Sequence, residues 1–176
     1  MNGPAQSTPP ASADDLFAAI HRDHLGIIMK VAHGFIASPS DREDLYQEIL
    51  IALWSALPKF NAQAKLSTYV YRVALSTALN WKRSRQRYDR KLDDYAVALP
   101  ALTATPGPES ERLRWLYARI HELPPVDRTL ILLSLDRLPY GEIAEITGLS
   151  ESNVGVRLHR IKQQLTLASE KYRHEL

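Results

Sequence analysis

Residues 140–165 read "YGEIAEITGLSESNVGVRLHRIKQQL", and this stretch decides the fold of the C-terminal half. Its apolar residues recur at helical spacing and predict a short helix, a tight turn and a second helix. Ala144 is small enough to let two helices cross closely, and Gly148 favours the left-handed backbone that ends a helix. Ser150 is a good cap for the second helix. Together these signals predict a helix-turn-helix.

Polar and basic side chains remain on the outer face of the second helix, because its apolar residues at three- and four-residue steps turn inward. Such side chains suit contacts to base edges and phosphates in a DNA major groove. A helical hairpin that only packs, with solvated arginines, is the alternative. The coincidence of turn, cap and basic face favours DNA binding. The outward residues are Ser152, Asn153, Val156, Arg157, His159, Arg160 and Lys162.

The rest of the chain also has helical periodicity, with no convincing alternating strand. We therefore predict an all-α protein with two small helical domains joined by a flexible linker, the C-terminal domain containing the helix-turn-helix. The linker is rich in proline and lacks periodicity. The predicted boundaries are a disordered tail at 1–13, a first domain at 14–87, the linker at 88–110 and a second domain at 111–176, with helices at 109–121 and 126–136 before the motif.

Helix boundaries in the first domain follow from capping and breaking residues. The first helical segment is either continuous or broken in two around Gly34. Ser40 and Glu43 match the capping box that starts a helix, and Pro58 stops that helix. Ser67 is a good N-cap for the next one.

The helix that starts near Ser67 has two distinct faces. One is apolar and predicts packing in the core. The other runs from an aromatic residue through polar groups to cations, which suits a single nucleic acid strand with stacked bases and bound phosphates. Cations that only complement the helix dipole are the alternative, and the helix-turn-helix in the same chain favours DNA. The second face comprises Tyr69, Arg72, Ser76, Asn80, Arg83 and Arg87.

An exposed stripe of acid, amide and apolar groups is predicted on the preceding helix. It comprises Asp44, Gln47, Glu48 and Ile51. Asp44 and Glu48, one turn apart, could form a metal or acid/base pair in an enzyme. Because no histidine or further acid completes such a site, a docking surface for another protein is the favoured interpretation.

The amino-acid composition excludes several kinds of binding site. The chain has 176 residues, a formal charge of +2 and no cysteine, which excludes disulfides and thiolate metal sites. Its six histidines have no close pair at ligand spacing. No cofactor and no metal site are predicted. No apolar run approaches the roughly 20 residues that span a bilayer, and no signal peptide is evident, so a cytoplasmic protein without membrane insertion is expected.

Three blocks of this sequence resemble the bacterial extracytoplasmic-function (ECF) family of RNA polymerase sigma factors. They are "DREDLYQEILIALWSALPKF" at 41–60, "KLSTYVYRVALSTALNWKR" at 65–83 and "LPPVDRTLILLSLDRLPYGEIAEITGLSESNVGVRLHRIKQQL" at 123–165. The resemblance covers residues 16–165 in the domain order of the family. It implies a subunit without enzymatic activity that binds core RNA polymerase, directs it to promoter DNA and is held inactive by an anti-sigma factor.

The resemblance also implies roles for the three residue sets. The acidic stripe would dock on the polymerase, and the outward residues of the helix-turn-helix would read the minus-thirty-five element as duplex. The intervening loop and helix would hold the melted minus-ten strand, with tyrosines near extruded bases and cations on the backbone. Tyr71 could equally belong to the core. The minus-ten set is Lys65, Ser67, Thr68, Tyr69, Tyr71, Arg72, Ser76, Asn80, Lys82, Arg83, Arg85 and Arg87.

The chain departs from the family pattern at three positions. Tyr69 stands where tryptophan is usual, Ser76 where asparagine is usual and Gly155 where a basic residue is usual. These changes put base preference at both promoter elements in question. The rival function is a stand-alone helix-turn-helix regulator that binds duplex DNA, which would need neither the acidic stripe nor the aromatic start of the basic helix.

Overall fold

The computed structural model describes residues 12–92 and 108–174, and within these ranges the chain is helical with no strand. This confirms the all-α prediction. A short 3-10 turn, Leu57–Lys59, follows the third helix. The helices are α1 Ala13–Asp23, α2 Leu25–Phe35, α3 Pro39–Ala56, α4 Leu66–Leu92, α5 Pro108–Glu122, α6 Pro125–Leu135, α7 Tyr140–Thr147 and α8 Glu151–His174.

The first helical segment is broken at His24, so both alternatives predicted from the sequence, a continuous helix and a break around Gly34, are wrong. His24 has φ −127° and ψ 5°, outside the helical region, and ends α1. Gly34 instead lies inside α2 and is buried. Glycine suits this position because a Cβ here would lie 2.3 Å from Cδ1 of Leu132 on α6.

Two predicted helix caps are also wrong. The first helical residue of α3 is Pro39, whose fixed φ suits that position, and Ser38 is the residue before it. Ser40 therefore lies within the helix and forms no capping box with Glu43. Similarly, α4 begins at Leu66, so Ser67 lies in its first turn.

The core of the N-terminal half forms where α2, α3 and α4 meet. Apolar side chains at three- and four-residue steps on each helix are removed from water, which is the main driving force for this packing. Those from α3 and α4 are Leu45, Ile49, Leu53, Val70, Ala74 and Ala78. Their burial fixes which sides of α3 and α4 face outward.

In the C-terminal half, α7 and α8 form the predicted helix-turn-helix over α6. Gly148 has φ 74°, the left-handed conformation that ends α7. The Oγ of Ser150 accepts a hydrogen bond from the backbone N–H of Asn153 at 3.3 Å, which caps α8. Val154 and Leu158 are fully buried, as predicted from their spacing. The turn chemistry inferred from the sequence is therefore confirmed.

The two halves pack against each other, through α2 on α5 and α6 and through α4 on α7. Residues 88–92 belong to α4 and residues 108–110 to α5, although both segments fall within the predicted linker. The remainder of that linker, 93–107, and most of the predicted tail lie outside the described residues, so the domain boundaries stay a prediction. Among the described helices, none has the length and apolar character needed to cross a membrane.

Candidate polymerase and nucleic-acid interface

The four predicted docking residues share one exposed side of α3. We call Asp44, Gln47, Glu48 and Ile51 the docking stripe; all four are exposed. Leu45 and Ile49 hold the opposite side of the helix in the core. Ile51 is 63% exposed, so an apolar side chain stands in water beside two carboxylates. A mixed surface that the fold itself does not use is typical of a protein-binding site.

Trp54 extends this stripe and was missed in the sequence analysis. It lies three residues after Ile51, which places it on the same side of α3. Its side chain is 49% exposed, and its ring meets the ring of Phe17 edge-on at 5.1 Å. The i+3 spacing from Ile51 was the signal that could have identified it. Tryptophan is enriched in the energetically dominant positions of protein interfaces.

The cationic groups at the start of α4 are engaged by the C-terminal half. The Nζ of Lys65 lies 2.6 Å from Oε1 of Glu142. Arg72 donates from Nη2 to the backbone oxygen of Glu145 at 2.6 Å and lies 3.4 Å from its carboxylate. The hydrogen bond to Glu142 raises the pKa of Lys65. Both cations are therefore paired with groups of α7.

Tyr69 is not the free stacking platform that the sequence predicted. Its hydroxyl donates to the backbone oxygen of Ala56 at 2.7 Å. Its ring is tilted against Phe60 with centroids 4.9 Å apart, and burial raises its pKa. The ring thus joins α4 to the end of α3, and one part of it remains at the surface because the residue is only half-buried.

Thr68 and Tyr71 are buried, which contradicts their assignment as DNA contacts in this arrangement. Thr68 is 1% exposed and Tyr71 is 4% exposed. The hydroxyl of Tyr71 donates to the carboxylate of Asp136, which also contacts the ammonium group of Lys30. Burial, with a smaller effect from Glu142, raises the pKa of Tyr71 to about 12. Tyr71 belongs to the core between the two halves.

The remaining predicted minus-ten residues follow α4 towards its C-terminal end. Ser76, Asn80 and Arg83 are exposed, and Ser67 is half-buried. The side chains of Lys82, Arg85 and Arg87 lie outside the described residues. A cleft of about 370 Å³ separates this part of α4 from α6 and α7. Its walls are mainly apolar, with Leu75, Leu79, Val126, Ile146 and Leu149, and Arg72 and Arg83 also line it.

The outward residues of α8 are open to solvent. We call Ser152, Asn153, Val156, Arg157, His159, Arg160 and Lys162 the reading face; all are exposed except Arg157, which is partly exposed. Arg157 forms an ion pair with Asp127 on α6. A Cβ at Gly155 would lie 3.4 Å from the ring of Tyr140, so that ring occupies the space beside this position. The face has the size and chemistry of a helix that enters a major groove.

The carboxylate pair of the metalloenzyme alternative gains no further ligand in the structure. Asp44 and Glu48 are both exposed on α3. Within residues 12–92 and 108–174, no group of three or more His, Cys, Asp or Glu side chains is placed to hold a metal ion. Geometry therefore gives this alternative no support.

Comparison with known families and sequences gives matches in both halves. The family described as "Sigma-70 region 2" matches residues 20–88, and "Sigma-70, region 4" matches residues 113–165. The chain is 26% identical over 171 residues to RNA polymerase sigma factor YlaC of Bacillus subtilis, covering 93% of this chain and 95% of that protein. It is 31% identical over 137 residues to the ECF RNA polymerase sigma-E factor of Escherichia coli K12, covering 71% and 72%.

Two solved structures share the fold. One is the sigma factor RpoE in complex with the anti-sigma factor NepR from Bartonella quintana, with a TM-score of 0.69 and 20% identity over 83% of this chain and 91% of that chain. The other is CnrH in complex with the cytosolic domain of CnrY, with a TM-score of 0.62 and 20% identity over 92% and 91%. At 20% sequence identity, the similarity to these two structures shows a shared fold and no more.

Proposed function

Because this chain belongs to the extracytoplasmic-function family of RNA polymerase sigma factors, we propose that it binds core RNA polymerase, recognises promoters and helps to melt them. Three surfaces would divide this work. The docking stripe would bind the polymerase, the exposed side of α4 would hold the unpaired minus-ten strand, and the reading face of α8 would bind the minus-thirty-five duplex.

One observation carries the proposal: the docking stripe and the reading face occur in the same chain, and both are exposed. Val154 and Leu158 hold α8 in the core while its cationic side faces water. Leu45 and Ile49 do the same for α3 while its acidic side faces water. A duplex-binding regulator needs only the reading face. A polymerase subunit needs both.

For the unpaired strand, we propose contacts along one line of α4. We call Lys65, Tyr69, Arg72, Ser76, Asn80 and Arg83 the strand-binding face. The cations supply phosphate contacts, and the accessible part of the Tyr69 ring supplies a stacking surface. Thr68 and Tyr71 are left out because they are buried.

An anti-sigma factor is proposed as a further partner. The structure of RpoE with the anti-sigma factor NepR has such a partner bound to a protein of the same fold. In this chain the cleft between α4 and α7 offers an apolar surface with arginines beside it. Co-purification of a tagged chain from its own cells, followed by mass spectrometry, tests for this partner.

Run-off transcription with purified core polymerase on a pool of genomic fragments tests the main proposal. We expect discrete transcript starts that require both the polymerase and this chain. A stand-alone regulator would bind the fragments but start no transcription with core polymerase, and that result would reject the proposal.

A further inference from the structure

We infer that Val156 is a specificity-determining residue of the reading face and that it contacts the methyl group of a thymine in the major groove. Gly155, beside it, lets the base edges approach α8 closely enough for this short side chain to reach them. The inference rests on the proposed function of the reading face and deepens it. It assigns one base type to a surface whose base preference the helix-turn-helix pattern leaves open.

Val156 lies at the centre of the outward side of α8. Val154 and Leu158, two residues before and two residues after it, are both fully buried. A step of two residues turns a helix by about 200°, so the Val156 side chain points away from the core. The residue is 58% exposed. Because valine is branched at Cβ and forms helices less readily than alanine, it contributes little to the fold at this position.

The neighbours of Val156 on the helix surface are polar. Ser152 and Asn153 lie one turn before it, His159 and Arg160 lie one turn after it, and all of them are exposed. An apolar partner protein would have to bury these polar groups together with the valine. The major groove offers a better match, because its floor presents hydrogen-bonding base edges and methyl groups between two rows of phosphates.

Thymine is the base that suits an apolar side chain. Among the standard DNA bases it alone presents a methyl group in the major groove. Valine has no hydrogen-bonding group, so against adenine, guanine or cytosine it would displace water from donors and acceptors without replacing the hydrogen bonds. Against thymine it would bury two apolar groups against each other, which is favourable. Both effects favour thymine at the base pair that faces Val156.

Small residues next to Val156 suit a close approach of the DNA. Ser152 lies one turn before it, and Gly155 directly precedes it. Because the valine side chain ends at its Cγ atoms, α8 must lie nearer to the bases here than it would for a long side chain such as that of Arg160. Glycine is the residue that allows a ligand to come close to the backbone. Gly155 is only partly buried, so this part of α8 is accessible.

The packing of the protein itself does not require glycine at position 155. A Cβ there would lie 3.4 Å from Cε2 and 3.6 Å from Cδ2 of Tyr140, which is ordinary van der Waals contact. At Gly34, in contrast, a Cβ would lie 2.3 Å from Leu132. Gly155 lies inside α8 and has no positive φ. Since alanine would fit and would favour the helix, the close approach of DNA explains this glycine better than the fold does.

Replacement of thymine by deoxyuridine tests the contact, because it removes the methyl group and keeps the base pair. A duplex element is first selected from a random pool by the complex of this chain with core polymerase, or by the chain alone if no complex forms. Each thymine of the element is then replaced singly, and binding is titrated by fluorescence anisotropy. We expect one position to lose about three- to fivefold in affinity, as for the burial of one methyl group.

The variant Val156→Ala connects that position to the side chain. It should weaken binding to the thymine element and abolish the difference between thymine and deoxyuridine at the same position, as two groups in contact should. Val126→Ala is the matched control, because Val126 is 46% exposed on α6 and lines the cleft outside the reading face. It should keep the full difference. The inference is overturned if no sequence is enriched, if no position depends on the methyl group, or if Val156→Ala keeps every thymine preference.

The variant Gly155→Ala tests the close approach. We expect a higher thermal unfolding midpoint, because alanine favours the helix, together with several-fold weaker binding to the selected element. Unchanged or tighter binding would overturn the close approach on which the valine contact depends. Run-off transcription separates this inference from the proposed function. Methyl-dependent binding without discrete transcript starts rejects only the role as a polymerase subunit, and discrete starts without methyl dependence reject only the thymine contact.

Discussion

Arg157 on α8 is tied to Asp127 on α6, with Nη1 2.5 Å from Oδ1. The Arg157 side chain is 39% exposed and belongs to the reading face. The carboxylate lies in the first turn of α6, within the same half of the protein. Asp127 therefore sets the direction in which Arg157 leaves α8, and any base contact by Arg157 must form beside this ion pair or replace it.

Arg157→Ala should weaken binding to a minus-thirty-five duplex by about 1–3 kcal/mol if the side chain reads a base. Titration of the variant against the native element and against single-base substitutions measures this. Loss of discrimination at one base pair is expected. An equal loss on all duplexes would assign Arg157 to a phosphate instead.

Asp44→Arg should abolish binding to core polymerase and leave thermal stability nearly unchanged. Asp44 is exposed on the docking stripe and makes no packing contact that the fold requires. Glu170→Arg is the control, because Glu170 is an exposed acid on α8, outside the docking stripe. Pull-down of core polymerase distinguishes them. Retention of polymerase by Asp44→Arg would remove the docking role.

Two variants of Tyr69 should distinguish its role in packing from a role in base stacking. Tyr69→Phe loses the hydrogen bond to Ala56, a cost of about 0.5–1.5 kcal/mol in unfolding free energy, but keeps the ring. Tyr69→Ala loses the ring contact with Phe60 as well. We expect permanganate footprints of the open promoter to persist in the Tyr69→Phe variant and to weaken in the Tyr69→Ala variant. Binding in the closed complex should change little in either variant. Footprints of wild-type intensity with Ala would argue against stacking.

Tyr71 should make stability depend on pH in the alkaline range. Its pKa is about 12 in the folded protein against an ordinary 10, so its contribution is complete below about pH 10 and is lost as the pH rises towards 12. The slope of unfolding free energy from this group is at most about 1.4 kcal/mol per pH unit. Urea unfolding of wild type and Tyr71→Phe should therefore converge above pH 10. A constant difference across that range would contradict the prediction.

Arg128 should be needed for the stability of the C-terminal half. It is 2% exposed and donates to the backbone oxygens of Ile120, His121 and Leu123 at the end of α5. Arg128→Leu leaves these carbonyls unpaired, and we expect a loss of about 2–5 kcal/mol in unfolding free energy. Arg112→Leu, at an exposed position on α5, is the control. Equal urea midpoints for the two variants would refute the role.

Local signals in the sequence were sufficient for most of the fold. The helix-turn-helix was predictable because its determinants are neighbours in the chain: the left-handed Gly148, the capping Ser150 and the buried Val154. Where a stronger local feature intervened, the prediction failed. Pro39 starts α3 one residue before Ser40, and His24 breaks the first segment while Gly34 does not.

Site residues were predictable only as far as helical spacing decides exposure. The docking stripe is correct in orientation because it is the side of α3 that faces away from one local core. Burial contradicts the assignment of Thr68 as a DNA contact, and it places Tyr71, which the sequence left open between DNA contact and core, in the core. The hydroxyl of Tyr71 donates a hydrogen bond to Asp136, which is 65 residues away in the sequence. No local sequence pattern predicts that contact.

The sequence by itself determined the helices, the helix-turn-helix and the outward sides of α3 and α8, since each depends on periodicity and caps within a few turns of chain. Only the tertiary structure decided which cations of α4 are accessible. Their partners, Glu142 and Glu145, lie on α7, which is far from α4 in the sequence but packs against it in the fold. These ion pairs depend on how helices from distant parts of the chain pack together, and local sequence patterns do not specify that packing.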